Sequence, residues 1–169
     1  MRLASTPSCA RATEGAVTAV SGFDAGGILG VVVIGRIADR SRRLSRQALS
    51  AIWILLLVPV LWVYARVGFG SAWLDVLVLA LLGALLFGPD SLLSGAAAQD
   101  AAGPAAAATA TGFVNGLGSF GALVQGLVVP PIAAAYGWRA LFPSLALFAF
   151  GAVVALIPTL RATKPPSAG

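Results

Sequence analysis

Gly35-Arg36-Ile37-Ala38-Asp39-Arg40-Ser41-Arg42-Arg43 gathers a cluster of arginines around one aspartate, where one apolar run ends and the next is about to begin. Charges this dense in so short a connection mark a loop at a membrane surface. Arginines resist crossing lipid, so a short basic loop stays on the cytoplasmic side and orients the helices that flank it.

The chain has 169 residues, a mean hydropathy of +0.93 and only 10% charged residues. A soluble domain carries roughly a quarter charged residues, so this composition belongs to a membrane protein. Spanning the hydrocarbon takes about 20 mostly apolar residues as a helix. Five stretches qualify: Gly15–Ile37, Ala48–Val67, Trp73–Ala98, Ala107–Ala135 and Ala140–Leu160. The expected fold is all-α and transmembrane. Its organisation reads as an extracytoplasmic segment over 1–14, a five-helix membrane domain over 15–160 and a cytoplasmic tail over 161–169. Residues 1–14 hold no continuous apolar run, and a signal peptide needs one of roughly 7–15 residues.

Lysine and arginine placement sets the topology. The loop after the first span carries Arg36, Arg40, Arg42, Arg43 and Arg46, and the tail on the same side adds Arg161 and Lys164. The other side has Arg2, Arg11, Arg66 and Arg139. The basic excess puts the loop and C-terminus in the cytoplasm, as expected of a multi-pass protein of the cell (inner) membrane. Trp62, Tyr64, Trp73, Tyr136 and Trp138 fall near span ends assigned to the outer face, where amphipathic rings favour the interface. The formal charge of +5 reads as anchoring beside anionic lipid. No polar domain exists to present a nucleic-acid surface.

Histidine is absent and Cys9 is the sole cysteine. That removes the commonest general base and the usual metal-ligand clusters, and it leaves serines such as Ser94 without an activating imidazole. The sequence assigns no catalytic residue, no metal site and no cofactor, and the chain is not read as an enzyme.

Small residues recur at four-residue spacing, as Gly22, Gly26 and Gly30 in the first span and Gly112 and Gly116 in the fourth. In lipid, small residues let helix backbones approach closely, so these are expected packing positions. Pro59, Pro89, Pro130, Pro131 and Pro158 interrupt spans, and each removes an amide donor and kinks or ends a helix. Gly88-Pro89-Asp90 near the middle of the third span combines a kink, freed carbonyls and a carboxylate. At mid-depth that combination belongs beside a cavity rather than lipid. Asp24 and Asp90 are the acidic residues deep in spans, and an ionised carboxylate there costs at least about 2.5–3.5 kcal/mol. They mark a candidate substrate pathway with Asn115, Ser119 and Gln125 of the fourth span. Each could equally bond to a neighbouring backbone or helix. Gly35, Asp39, Arg40 and Arg43 form a candidate conformational loop in which Asp39 accepts hydrogen bonds from arginines or helix amides.

The loop pattern, Gly, three residues, Asp, Arg and further basic residues, resembles a signature of the major facilitator superfamily. Arg42 departs from it where the family usually has glycine. Longer strings narrow the likeness. Phe23-Asp24-Ala25-Gly26-Gly27-Ile28-Leu29-Gly30 resembles the eighth helix of organophosphate:phosphate antiporters and sugar-phosphate exchangers. The run from Phe87 to Asp100 resembles their tenth, Thr109 to Ala122 their eleventh, and Tyr136-Gly137-Trp138 the turn into the twelfth. At Ala108 the family commonly has glycine. The resemblance covers about residues 15–160 and implies part of the C-terminal half of a twelve-helix fold, helices eight to twelve.

That resemblance implies a partner in the remaining helices of the same transporter and a small anionic, phosphorylated solute exchanged for phosphate by alternating access. In the family the phosphate is gripped by basic residues of the first and seventh helices, so those roles carry over to no residue here. Asp24 matches an acidic position facing that basic site. The competing expectation is a non-transporting small membrane protein or a truncated remnant. An outside N-terminus with an odd span count favours a piece of a longer chain over a complete five-helix protein.

Overall fold

The computed structural model describes residues 7–41, 44–67 and 71–162. Among these, helices account for nearly the whole chain: α1 (Pro7–Arg40), α2 (Arg46–Val67), α3 (Ala72–Ser91), a π-helical turn (Leu92–Ala97), α4 (Ala98–Ala102), α5 (Ala107–Tyr136) and α6 (Trp138–Ala162). The π-helical turn joins α3 and α4 into one span, so five helices are long and apolar enough to cross a membrane. Their bounds lie close to the expected spans. The clearest difference is α1, which is already helical at Pro7, the first described residue, rather than from Gly15.

Local chemistry sets several boundaries. The Ala48 amide donates to Ser45 Oγ at 3.1 Å, an N-cap that starts α2 directly after the arginine loop. Gly103 (φ 72) ends the third span and Gly137 (φ 78) makes the turn between α5 and α6. Both angles lie in the left-handed region that glycine enters without a Cβ clash. Their amides return to Gln99 O and Ala133 O at 3.0 and 2.9 Å. Pro59, Pro130, Pro131, Pro143 and Pro158 sit inside helices without ending them. Prolines are tolerated this way where neighbouring groups and small local adjustments re-satisfy the freed carbonyls.

Pro89 has a larger effect. Its ring crowds the carbonyl one turn back, and three residues later the helix widens into the π-helical turn. The Ser91 hydroxyl donates to Gly88 O at 2.8 Å and the Ser94 hydroxyl to Asp90 O at 2.7 Å. The two serines thus satisfy carbonyls around the break.

The main helix contact is between α1 and α3. A Cβ added at Gly26 would run into the Ala80 backbone, one at Gly30 into the Ala84 backbone, and one at Gly22 would lie 2.8 Å from Val76 Cγ1. Partners therefore advance together in steps of four, so α1 and α3 run in the same direction with backbones in contact. Phe23 and Phe87 close the seam edge to face, 5.2 Å between centroids. On the far side, α3 packs on α2, and α2 on α6. The core there is Leu57, Leu61, Tyr64, Leu82, Leu85 and Ala146. A second cluster of Ile34, Leu49 and Leu92 sits nearer the arginine-rich end. The Trp53 indole crosses from α2 to donate to Ala84 O at 3.1 Å. α5 contacts α4 and α6 but lies open along its length, with Ala133 its one buried residue.

Candidate functional site

Polar groups gather at three levels. At the arginine-rich end, Arg46 Nη1 of α2 lies 3.3 Å from Asp100 Oδ2 of α4. This ion pair ties the start of the second span to the end of the third. Both side chains are partly open, so the pair contributes about 0–1 kcal/mol and acts chiefly on alignment. Asp39 is exposed in the last turn of α1, next to Arg40, and has no ion pair among the described residues. Arg42 and Arg43 lie outside the described residues. The acidic partner of this basic end is thus Asp100, which composition and loop pattern did not single out. The usable signal was an acidic residue closing a span on the same side as the arginines.

At the opposite end the Tyr64 hydroxyl donates to Asp75 Oδ1 at 3.2 Å, linking the last turn of α2 to the first turn of α3. Tyr64 also meets Phe142 of α6 edge to face, 5.0 Å between centroids. The guanidinium of Arg66 stacks 4.1 Å over the Trp62 ring. Asp75 also escaped the sequence reading. A carboxylate in the first turn of a helix is favoured by the helix dipole, and here it gains a phenol as well.

Between these ends lies a cleft of about 570 Å³ lined by side chains from α1, α2, α3, α5 and α6. It brings together two of the candidate pathway residues, Asp90 and Gln125, in an otherwise apolar wall that includes Phe23, Phe142 and Phe148. The others lie elsewhere. Asp24 is exposed. It sits two residues from both Gly22 and Gly26, about 200° round the helix at 3.6 residues per turn, so it points away from the α3 seam. The pairing of Gly26 with Ala80 and Gly30 with Ala84 also puts Asp24 and Asp90 at different depths. Asn115 and Ser119 are exposed on α5, where the Ser119 hydroxyl donates to Asn115 O at 3.0 Å. Gly112 and Gly116 meet nothing within 4 Å, and Gly35 likewise opens onto empty space. Among the described residues no group of three or more His, Cys, Asp or Glu side chains comes together.

The spans carry arginine only near their ends, so the cleft offers a carboxylate and an amide but no cation.

Comparison with known proteins places the chain. A probable hexose phosphate transport protein of Chlamydia trachomatis serovar D is 31% identical over 146 residues, 86% of this chain and 32% of that protein. The membrane sensor protein UhpC of Escherichia coli K12 is 31% identical over 154 residues, 89% of this chain and 34% of the relative. The glucose-6-phosphate exchanger SLC37A2 of Mus musculus is 30% identical over 131 residues, 71% of this chain and 25% of the exchanger. No protein-family model matches the chain. No solved structure matches it either. The chain spans about a third of the length of the chlamydial transporter and of the sensor. It is a multi-pass helical membrane protein, and over most of its length it belongs to the organophosphate:phosphate antiporter family, with the hexose-phosphate transporters and sugar-phosphate exchangers.

Proposed function

We propose that this chain forms the C-terminal part of a transporter that exchanges a phosphorylated organic anion, a sugar phosphate, for phosphate. The observation that carries this is the likeness, over 86% of the chain, to a hexose phosphate transport protein. The spans fit helices eight to twelve of such a transporter, and the chain is a non-enzyme whose partners are the bilayer and the remaining helices. Alternating access needs two halves moving about a shared central site. On this reading the open face of α5 and the outward-pointing Asp24 meet the other half, which supplies the cations the cleft lacks. Asp24, Asp90, Asn115, Ser119 and Gln125 then border the pathway, and Gly35, Asp39, Arg40 and Arg43 act as a conformational loop. The arginine-rich end lies in the cytoplasm, with the C-terminus beside it, in the cell (inner) membrane.

The test joins this chain to the N-terminal helices of the chlamydial transporter. The joined protein in phosphate-loaded vesicles should show saturable uptake of a sugar phosphate, and the 169-residue chain alone should show none. Saturable exchange by the chain alone would overturn the reading. Cysteines placed at Ser45 and Ser71 should react with impermeant reagents from opposite sides, Ser45 from the cytoplasm; the reverse pattern would invert the topology.

A second reading has its own support, since the chain is 31% identical over 154 residues to a membrane sensor protein. Under it the complete protein binds its solute without moving it. Saturable binding by the joined protein with no counterflow would favour this sensor reading.

A further inference from the structure

Building on the exchange reading, we propose that Asp90 and Gln125 bond the hydroxyl groups of the sugar and so determine which phosphorylated compound is accepted. The sugar end of the substrate lies in the cleft of this chain, and the phosphate end points away from Asp90. The two residues are the polar members of an otherwise apolar wall that includes Phe23, Phe142 and Phe148. Ligand pockets are commonly built this way, with a few placed polar groups fixing orientation and specificity.

Asp90 and Gln125 reach the cleft at different depths. The third span ends at Ala102 and α5 starts at Ala107, and the Ala106 amide closes the turn between them on Gly103 O at 3.2 Å. Those two helix ends therefore lie level. Asp90 is 12 residues before Ala102 and Gln125 is 18 residues after Ala107, which separates them by about 9 Å in depth at about 1.5 Å per residue. A sugar ring carries hydroxyls on opposite edges, so it can meet both side chains at once. A carboxylate accepts hydrogen bonds, and a carboxamide both accepts and donates. The Ser94 hydroxyl takes the backbone oxygen of Asp90 at 2.7 Å and leaves its carboxylate for a ligand. The C–H groups of a sugar ring are made partly positive by the neighbouring oxygens, and the negative faces of aromatic rings favour them. Like charges repel, so the phosphate turns from Asp90 and the hydroxyls turn towards it. An alkyl group would suit the leucines and rings but would leave the carboxylate and carboxamide without partners. A site made to bond hydroxyls rejects analogues that lack them for this reason.

The test uses the joined protein described above, in phosphate-loaded vesicles, with glucose 6-phosphate and hexyl phosphate as competitors of labelled phosphate. The two share a phosphate group and differ in carrying a sugar or an alkyl chain. Phosphate self-exchange reports that the carrier is assembled, independently of the sugar. Glucose 6-phosphate should inhibit it at least tenfold more strongly than hexyl phosphate, equivalent to about 1.4 kcal/mol. Asp90→Leu and Gln125→Leu, on different helices, should each cut that preference to about threefold or less. Asp90→Asn, which keeps hydrogen bonding without the charge, should retain more of it than Asp90→Leu, and Glu14→Gln should leave it intact. Equal inhibition by the two competitors in the wild-type protein would overturn the proposal while self-exchange upholds the exchange reading. An undiminished preference in an assembled leucine variant would overturn it too. Absence of phosphate self-exchange in the wild-type protein would overturn the exchange reading and the sugar site with it.

Discussion

The first and fourth spans carry the same small-residue spacing and use it in opposite ways. In α1, Gly22, Gly26 and Gly30 are pressed against Val76, Ala80 and Ala84 of α3, close enough that a methyl group at either of the last two glycines would meet backbone. In α5, Gly112, Gly116, Gly118, Gly121 and Gly126 face open space. A four-residue repeat of glycines therefore states that a helix can be approached, and not by what. In α1 the approach is made within this chain. In α5 it is left to lipid or to helices beyond the described ones, which fits a chain spanning about a third of its chlamydial relative's length.

The contrast is most easily broken at Gly26. Gly26→Val should cost at least about 3 kcal/mol, the upper end for overpacking, because the opposing atoms belong to the Ala80 backbone. Gly116→Val, with nothing within 4 Å, should stay within about 0.5 kcal/mol, the usual range for open surface sites. Denaturant titration of the purified chain in mild detergent measures both. Equal losses at the two sites would mean that α5 has a close neighbour. Trp53→Phe should have an intermediate effect, about 1 kcal/mol, by removing the indole hydrogen bond to Ala84 O while keeping most of the apolar contact. It would show that the α1–α3 seam is braced from behind by α2; no change in the unfolding midpoint would remove that brace. The smallest effect is expected for Asp100→Asn, about 0.2–1 kcal/mol and lost on adding salt, since the Arg46–Asp100 pair is partly open. A large, salt-insensitive loss would make the ion pair a fixed strut rather than an aligning contact.

Much of the fold was legible because lipid imposes a simple rule. A helix must satisfy its own backbone and present apolar side chains over about 20 residues, so hydropathy locates the spans to within a few residues. The seam partner of Gly26 was not legible. Ala80 carries no mark that separates it from the other alanines of the third span, and pairing between helices depends on shape rather than on residue type. At the candidate site, Asp90 stood out by its depth and by Pro89 before it. The cleft also contains Gln125, which lies on a different flank of α5 from Asn115 and Ser119, so the three polar residues of that helix do not share one face. Asp75 and Asp100 were overlooked because they lie at span ends, where a carboxylate is unremarkable until Tyr64 and Arg46 are brought beside it.

The seam between α1 and α3 also has a bearing on how the protein is made. Gly26 meets Ala80, and the whole of α2 separates them along the chain. Synthesis proceeds from the N-terminus, so α1 enters the bilayer with its glycine face bare and keeps it bare until α3 emerges from the ribosome. During that interval the groove is open to any other helix with small residues, the chain's own second span or a neighbour in the translocation machinery. A variant that slows the delivery of α3, without touching a single contact of the finished bundle, would then lower the yield of correctly assembled protein.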